Sequence, residues 1–423
     1  MSDVTFTSWG GANSIGPSCH VLNFGGYRVG IDYGAGLRPH DSEPAFEGEL
    51  DALLLTHGHR DHVGMVPRAI ARWPKMLCWA TKETRELALW IWEDGMKIET
   101  REQRAHLFSA DDIQRAFSRT QKMIPGTPLH LTKELTVTPF SAGHILGAVG
   151  LIFTYRGEQY VATGDIGLND HGFISRAAVP EFERTRLLIT ESTYAGIYAK
   201  KSRQQIRHEF LKAVWSVMDD GGRVLIPTLA IDRMQEMYQI LHEAGVDKKW
   251  DLWVVGGAAP TEIYRRYAPD SKLLATMQRF RDMPHQFRVQ KSEKPVIVLA
   301  SSGMLVEDTP SYAWATTLLH EPGSAIFMVN WQDPCEFGGR ILASGQGCLV
   351  EAADGYIAKR CRVERFDFST HAKQDELDEI VRRLNPDRII HVHGENERID
   401  EFLSTAPDAS RRIKAHVGVE IPV

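Results

Sequence analysis

The sequence predicts an α/β protein of two domains, one of them inserted into the other, and three observations carry that expectation. The chain has 423 residues, more than one ordinary core requires. Buried-strand runs repeatedly end at, or just before, a residue able to bind a metal or move a proton. Between Glu191 and His371 that pattern stops, and strands simply alternate with helices.

The runs can be taken in chain order. "ELDALLLT" leads to His57, "LTVTPFSAG" to His144 and "QYVATG" to Asp165. "RLLIT" leads to Glu191, "RFDFST" to His371 and "DRIIHV" to His393. Ligands at strand ends rest on a rigid sheet, which a preorganised site requires. Six such runs in one chain imply one shared site. "DHVGMVPRAIARW" reads as a helix beginning near Asp61, an acidic residue favoured at that end. "TKETRELALWIWEDGMKIETREQRAHLFSADDIQRAFSR" is helical in pattern. Between Glu191 and His371, the helices "SRQQIRHEFLKAVWSVMDDGG" and "AIDRMQEMYQILHEAG" alternate with the strands "RVLIP", "LWVVGG", "PVIVLAS" and "AIFMVN". These form a second, open α/β domain. The expected borders are 1–193 and 362–423 for the divided domain and 194–361 for the insertion.

Composition narrows the class. Hydrophobic residues make up 43% and charged residues 25%, as in soluble globular proteins. No apolar run approaches the roughly 18 residues of a membrane span. "MSDVTFTSWGG" has no basic segment followed by an apolar one, so no secretory signal is expected. Five scattered cysteines form no C-x-x-C pair, which argues against a disulfide framework or a cysteine zinc site and for a cytoplasmic setting. The net charge of −6 does not advertise a nucleic-acid binder, yet binding depends on local patches. Residues 195–300 hold 17 Lys and Arg against 12 Asp and Glu, either a binding strip or a solvated face.

The run His57, His59, Asp61, His62 crowds four ligand types into six positions after an apolar strand. That spacing points two imidazoles at one cation and the next two ligands at a neighbour. Imidazole nitrogen with carboxylate oxygen suits zinc, with manganese or iron as alternatives. His144, Asp165 and His393 bring the set to enough donors for two ions, and Asp165, with two oxygens, is the natural bridge.

These stretches resemble the metallo-β-lactamase superfamily, and within it the β-CASP nucleases. "GIDYG", "THGHRDHVG", "SAGHILGA" and "TGDIG" match the superfamily's four motifs, while "TESTY", "FDFSTHAKQDEL" and "HVHGE" match three further β-CASP motifs. "IPTLAIDRMQE" and "VIVLASSGML" resemble stretches of the inserted β-CASP domain. The resemblance implies an αββα sandwich carrying that insertion. It implies that His57, His59 and His144 hold one Zn²⁺ and that Asp61, His62 and His393 hold the other, with Asp165 bridging and Mn²⁺ as the alternative ion. Asp32 would orient a histidine ligand. His371 would be the general acid on the leaving oxygen, oriented by Glu191, and Asp61 would also accept the proton of the attacking water. The implied activity is hydrolysis of single-stranded RNA, with DNA less favoured. Rival expectations are another hydrolase of this fold and a non-catalytic scaffold subunit; the resemblance leaves a homodimer open.

Some positions depart from the family pattern: Lys373 replaces an Asp, and Trp331 in "NWQ" replaces a Tyr. They bear on substrate preference rather than on the metal ligands. Ser369, Ser301, Ser302 and the Gly303 backbone are candidate phosphate donors, although "ASSG" also reads as a plain strand-to-helix turn. Arg340 could clamp a phosphate or lie on the surface. Trp331 beside Gln332 is the best base-stacking candidate. Lys200, Lys201, Arg203, Arg207, Arg279, Arg281, Arg288 and Lys291 could line a strand path, with Trp250, Trp253, Phe280 and Phe287 interleaved. Trp253 in "DLWVV" also reads as core. His391 is a packing or supporting residue, His171 reads as exposed, and His20 has no constellation around it.

Overall fold

Along Val4–Gly10 buried and half-buried side chains alternate, the period-two pattern of a strand with one face in a core. In the computed structural model, which describes residues 3–36, 43–46, 48–268, 271–277 and 295–423, this strand lies between Cys19–Phe24 and Glu420–Pro422, antiparallel to both. Tyr27–Ile31, Ala52–Leu54, Leu77–Ala80 and Thr120–Lys122 complete a seven-stranded sheet in that order. A second seven-stranded sheet runs Arg412–Lys414, Pro386–Val392, Thr185–Glu191, Glu158–Ala162, Val149–Tyr155, Leu135–Ser141 and Leu129–His130.

The inner faces of these sheets share one core. Phe6, Leu22 and Phe24 of the first cluster with Leu135, Phe153, Leu187 and Ile390 of the second. Each such side chain contributes about 1.5–3 kcal/mol when fully buried. The first sheet's other face packs Leu53 and Cys78 against Val66, Trp92 and Ile113. Those three belong to the helices Val66–Arg72, Lys82–Arg101 and Ala110–Arg119. Helices Gln374–Leu384 and Asn396–Thr405 contact strands of the second sheet. Helix, sheet, sheet, helix is the layer order of the expected αββα sandwich.

The chain divides into two compact units, Met1–Asp170 with Ile174–Ala199 and Thr370–Val423, and His171–Phe173 with Lys200–Ser369. The second unit holds a five-stranded, all-parallel sheet in the order Asp251–Val255, Val296–Ala300, Val224–Pro227, Ala325–Met328, Arg362–Arg365. These borders fall later than the expected 193 and 361. Arg362–Arg365 pairs with Ala325–Met328 and so completes the second unit's sheet.

Three local expectations need correction. "RFDFST" is not a strand beyond Arg365. Phe366 and Phe368 are buried on alternate positions, which mimics a strand, but the Phe368 and Ser369 carbonyls accept from the Arg203 guanidinium instead of a neighbouring strand. The long helical stretch breaks at residues 102–109, between Lys82–Arg101 and Ala110–Arg119. Ser109 and Asp112 form a capping box there, which starts a new helix. "DHVGMVPRAIARW" divides into Arg60–Val63 and Val66–Arg72, with Pro67 in the first turn of the second.

Candidate metal centre

The strand Ala52–Leu54 delivers Thr56 to His62 as one tight loop, and Asp32 anchors it. Asp32 has a left-handed backbone, φ +62°, a conformation Asp tolerates better than most residues. Its Oδ1 accepts from the Thr56 amide at 2.7 Å, and its Oδ2 accepts from the Thr56 hydroxyl at 2.6 Å. The same Oδ2 lies 2.7 Å from His62 Nδ1, a contact that fixes the direction of that ring. Gly34 packs beneath the loop so closely that a Cβ there would lie 1.7 Å from the Asp61 carbonyl oxygen.

Six of the seven expected ligands are buried and His59 is partly so. His57 Nε2 and His144 Nε2 lie 3.0 and 3.3 Å from His59 Nδ1, and 3.5 and 3.7 Å from Asp165 Oδ2. On the other side, His62 Nε2 is 3.4 Å from Asp165 Oδ2 and 3.7 Å from Asp61 Oδ2. His393 contributes Nε2 at 3.3 Å from Asp61 Oδ2 and Nδ1 at 3.5 Å from Asp165 Oδ1. The donors fall into overlapping groups, His57–His59–His144–Asp165 and Asp61–His62–His393 among them, with ligand atoms within 4.8 Å of one another.

This donor set fits cations. Nitrogen lone pairs 3.0–3.3 Å apart repel unless something positive lies between them. His62 Nε2 is buried without a hydrogen-bond partner, a cost that coordination would remove. Burial and neighbouring His62 hold His57 well below the usual imidazole range, which keeps its ring neutral as a ligand must be. Burial opposes charge on Asp165, but His393, His62 and His57 outweigh it and hold the carboxyl well below the usual range. For Asp61, burial is likewise outweighed by His62 and His393, and its pKa falls to about 2.

Beside this set, Glu191 at the end of Thr185–Glu191 binds His371. Glu191 Oε1 accepts from the Ile166 amide and Oε2 lies 2.7 Å from His371 Nδ1. Burial disfavours the proton on His371, yet Glu191 prevails and raises its pKa to about 9. Glu191 thereby favours the imidazolium form of His371, a form that can give a proton away.

Two other histidines, His20 and His171, differ from expectation, and His391 does not. His20 is buried, its Nδ1 3.0 Å from Ser8 Oγ. With Asp32, His62, Asp165, Glu191 and His393 it lines a cavity of about 20 Å³. Burial, then His62 and His393, push its pKa down to about 3. The only signal was a polar residue inside the apolar run "CHVLNF". His171 is buried rather than exposed, 3.3 Å from Asp232 Oδ2. His391 bonds Ser192 Oγ at 2.9 Å and Arg412 Nη1 at 3.2 Å, a supporting position.

Within the second unit, the Ser302 hydroxyl accepts from the Met304 and Val306 amides. Gln332 is buried, donating to the Gly303 and Asn330 carbonyls, while Trp331 is 43% exposed. Arg340 donates to the Cys335 and Glu351 carbonyls, so backbone already occupies much of its guanidinium. Ser369 donates its amide to Asp367 and gives its carbonyl to Arg203. Three of the four described members of the basic strip are paired: Lys201 with Glu209, Arg207 with Glu243, Arg203 with Glu236. Trp250 stacks edgewise on Trp215, and Trp253 on Trp314. Arg279, Phe280, Arg281, Phe287, Arg288 and Lys291 lie outside the described residues.

Residues 47–189 match the metallo-β-lactamase superfamily, and residues 356–417 match a Zn-dependent metallo-hydrolase RNA specificity domain. The chain is 28% identical to transcription termination factor FttA of Methanocaldococcus jannaschii over 94% of this chain and 68% of that protein. It is 28% identical to endoribonuclease ysh1 of Schizosaccharomyces pombe over 99% of this chain, and spans 57% of that relative's length. A crystal structure of a protein of unknown function from Enterococcus faecalis shares the fold, with TM-score 0.63 and 14% identity over 99% of this chain and all of the other.

Proposed function

The chain belongs to the β-CASP nucleases of the metallo-β-lactamase superfamily, and on that premise we propose that it is a two-zinc phosphodiesterase cutting single-stranded RNA. One observation carries the proposal: two groups of donors meet at Asp165, next to a His371 ring whose Nδ1 lies 2.7 Å from Glu191 Oε2. The resemblance to RNA-acting relatives, and to an RNA specificity domain, favours RNA over other esters.

His57, His59 and His144 would hold one cation and Asp61, His62 and His393 the other, with Asp165 shared. Bound there, the ions supply Lewis acidity toward a phosphoryl oxygen and let water ionise near neutral pH. Asp61, ionised throughout the working range, is the carboxylate available to accept the proton of the attacking water. His371 delivers a proton to the departing oxygen, without which an alkoxide leaves poorly. Glu191 holds the His371 Nδ1 hydrogen, so Nε2 is the atom that gives the catalytic proton. A reducing cytoplasm suits the five cysteines, none of which is in a disulfide. Among the described residues, no helix is long and apolar enough to cross a membrane.

The test is His371→Ala, assayed on a labelled RNA, its DNA counterpart and a generic ester with bound zinc measured alongside. Loss of RNA cleavage with about two zinc ions retained supports the acid role. Loss of zinc would make His371 a ligand, and wild-type turnover of the ester in preference to RNA would overturn the substrate reading.

A further inference from the structure

His393 follows Pro386–Val392 with a left-handed backbone, φ +51°, so its ring leaves the sheet at a turn that must be held. Its amide donates to the Gly11 carbonyl at 2.8 Å, and its carbonyl accepts from the Ser192 amide at 3.2 Å. Thr193 provides a third tie. Its hydroxyl lies 3.2 Å from the His393 carbonyl oxygen and 3.2 Å from His393 Nδ1.

A carbonyl can only accept, so the Thr193 hydrogen goes to it and the hydroxyl oxygen is left as an acceptor for Nδ1. His371 Nδ1 is also near, at 3.4 Å, but it has a closer and charged acceptor in Glu191 Oε2 at 2.7 Å. The other polar atom near His393 Nδ1, Asp165 Oδ1 at 3.5 Å, belongs to a carboxylate and again only accepts. Everything on that side of the ring calls for a hydrogen on Nδ1. With a cation between Nε2 and Asp61 Oδ2, which lie 3.3 Å apart, the lone pair of the neutral ring is then on Nε2.

The first group contains the same arrangement. The Thr56 hydroxyl donates to the Asp32 carboxylate at 2.6 Å, so His57 Nδ1, 3.0 Å away, can only donate to Thr56. That leaves the His57 lone pair on Nε2, toward His59 and Asp165. Two threonines, each with its hydrogen committed to a pure acceptor, thus set one ring in each group.

We propose that Thr193 is a positioning residue for a divalent cation, fixing the ring tautomer and turn of His393 so that Nε2 is its ligand atom. The inference rests on the two-cation reading above. In the other tautomer an N–H would face Asp61, and the ring could not coordinate from that side.

Thr193→Val removes the hydroxyl at nearly constant volume. Zinc affinity, read by chelator competition without any activity assay, should remain unchanged for one ion and fall about 10–100-fold for the other. Thr193→Ser, which restores the hydroxyl, should recover the second ion. A Val variant holding both ions as tightly as the parent overturns the proposal. If the Val variant does not fold, the ring ¹⁵N shifts of His393 in the zinc-loaded parent decide. A hydrogen on Nδ1 with Nε2 bonded to zinc supports the proposal, and zinc on Nδ1 overturns it. A parent chain that takes up no zinc would overturn the two-cation reading and this proposal with it, whereas a parent holding two ions beside a Val variant that keeps both would overturn the proposal alone.

Discussion

Glu191 gives His371 its role by charge as well as by aim. Because the raised value near 9 rests on that carboxylate, the acid stays protonated at neutral pH and loses its proton as pH rises through about 9. Cleavage should therefore fall above pH 9, and Glu191→Gln should move that break toward the ordinary imidazole value of about 6.5. A pH–rate profile of both proteins reads the shift; an unmoved break would assign the limb to another group. Asp32 acts twice, on His62 directly and on His57 through Thr56, so Asp32→Ala should weaken retention of both ions, by about 10–100-fold each, in a chelator titration. At this scale the cluster of donors was legible because H-x-H-x-D-H spacing is itself a geometric statement. His20 and Thr193 were not, because their neighbours are supplied by distant strands.

The ligand loop keeps its shape because the chain passes close beneath it. Gly34→Ala would push a methyl into the Asp61 carbonyl. That variant should lose about 1–3 kcal/mol of stability and preferentially release the ion held with Asp61 and His62. Urea melts combined with metal analysis check both parts. The strand-end pattern held for five of the six runs because buried strands advertise themselves by apolar runs of the right length. It failed at Phe366–Thr370, where Phe366 and Phe368 both pack on Phe210 and, after the Phe366 amide has bonded Met328, the carbonyls turn to Arg203. The break at 102–109 was likewise hidden, since the Ser109–Asp112 box looks like any polar stretch until its amide partners are known.

Each unit has its own electrostatic economy. In the second, burial opposes charge on Asp232 and Glu236, but His171, Arg203 and Arg233 outweigh it and lower both carboxyls. A carboxyl lowered on folding adds stability above its unfolded value, about 4, and loses it as pH falls through the lower folded value. Urea midpoints should therefore decline as pH drops below about 4, and Glu236→Gln should flatten that slope. In the first unit, Phe153→Ala in the shared sheet core should cost about 3–5 kcal/mol, while chelation should lower the melting temperature of the parent. The two-domain plan was readable from the interrupted strand grammar. The borders were not, because Arg362–Arg365 resembles the strands on either side of the boundary, and only its pairing assigns it.

The first sheet is laid down mostly by residue 122, yet its outer strand comes from Glu420–Pro422, and His393 is supplied only after the 200–369 insertion has been made. On a ribosome the chain therefore emerges with the His57–His62 loop already translated and the second group of donors one member short. A nascent chain halted before residue 393 should bind zinc through His57, His59 and His144 alone. The second group of donors is then complete only once residue 393 has been made.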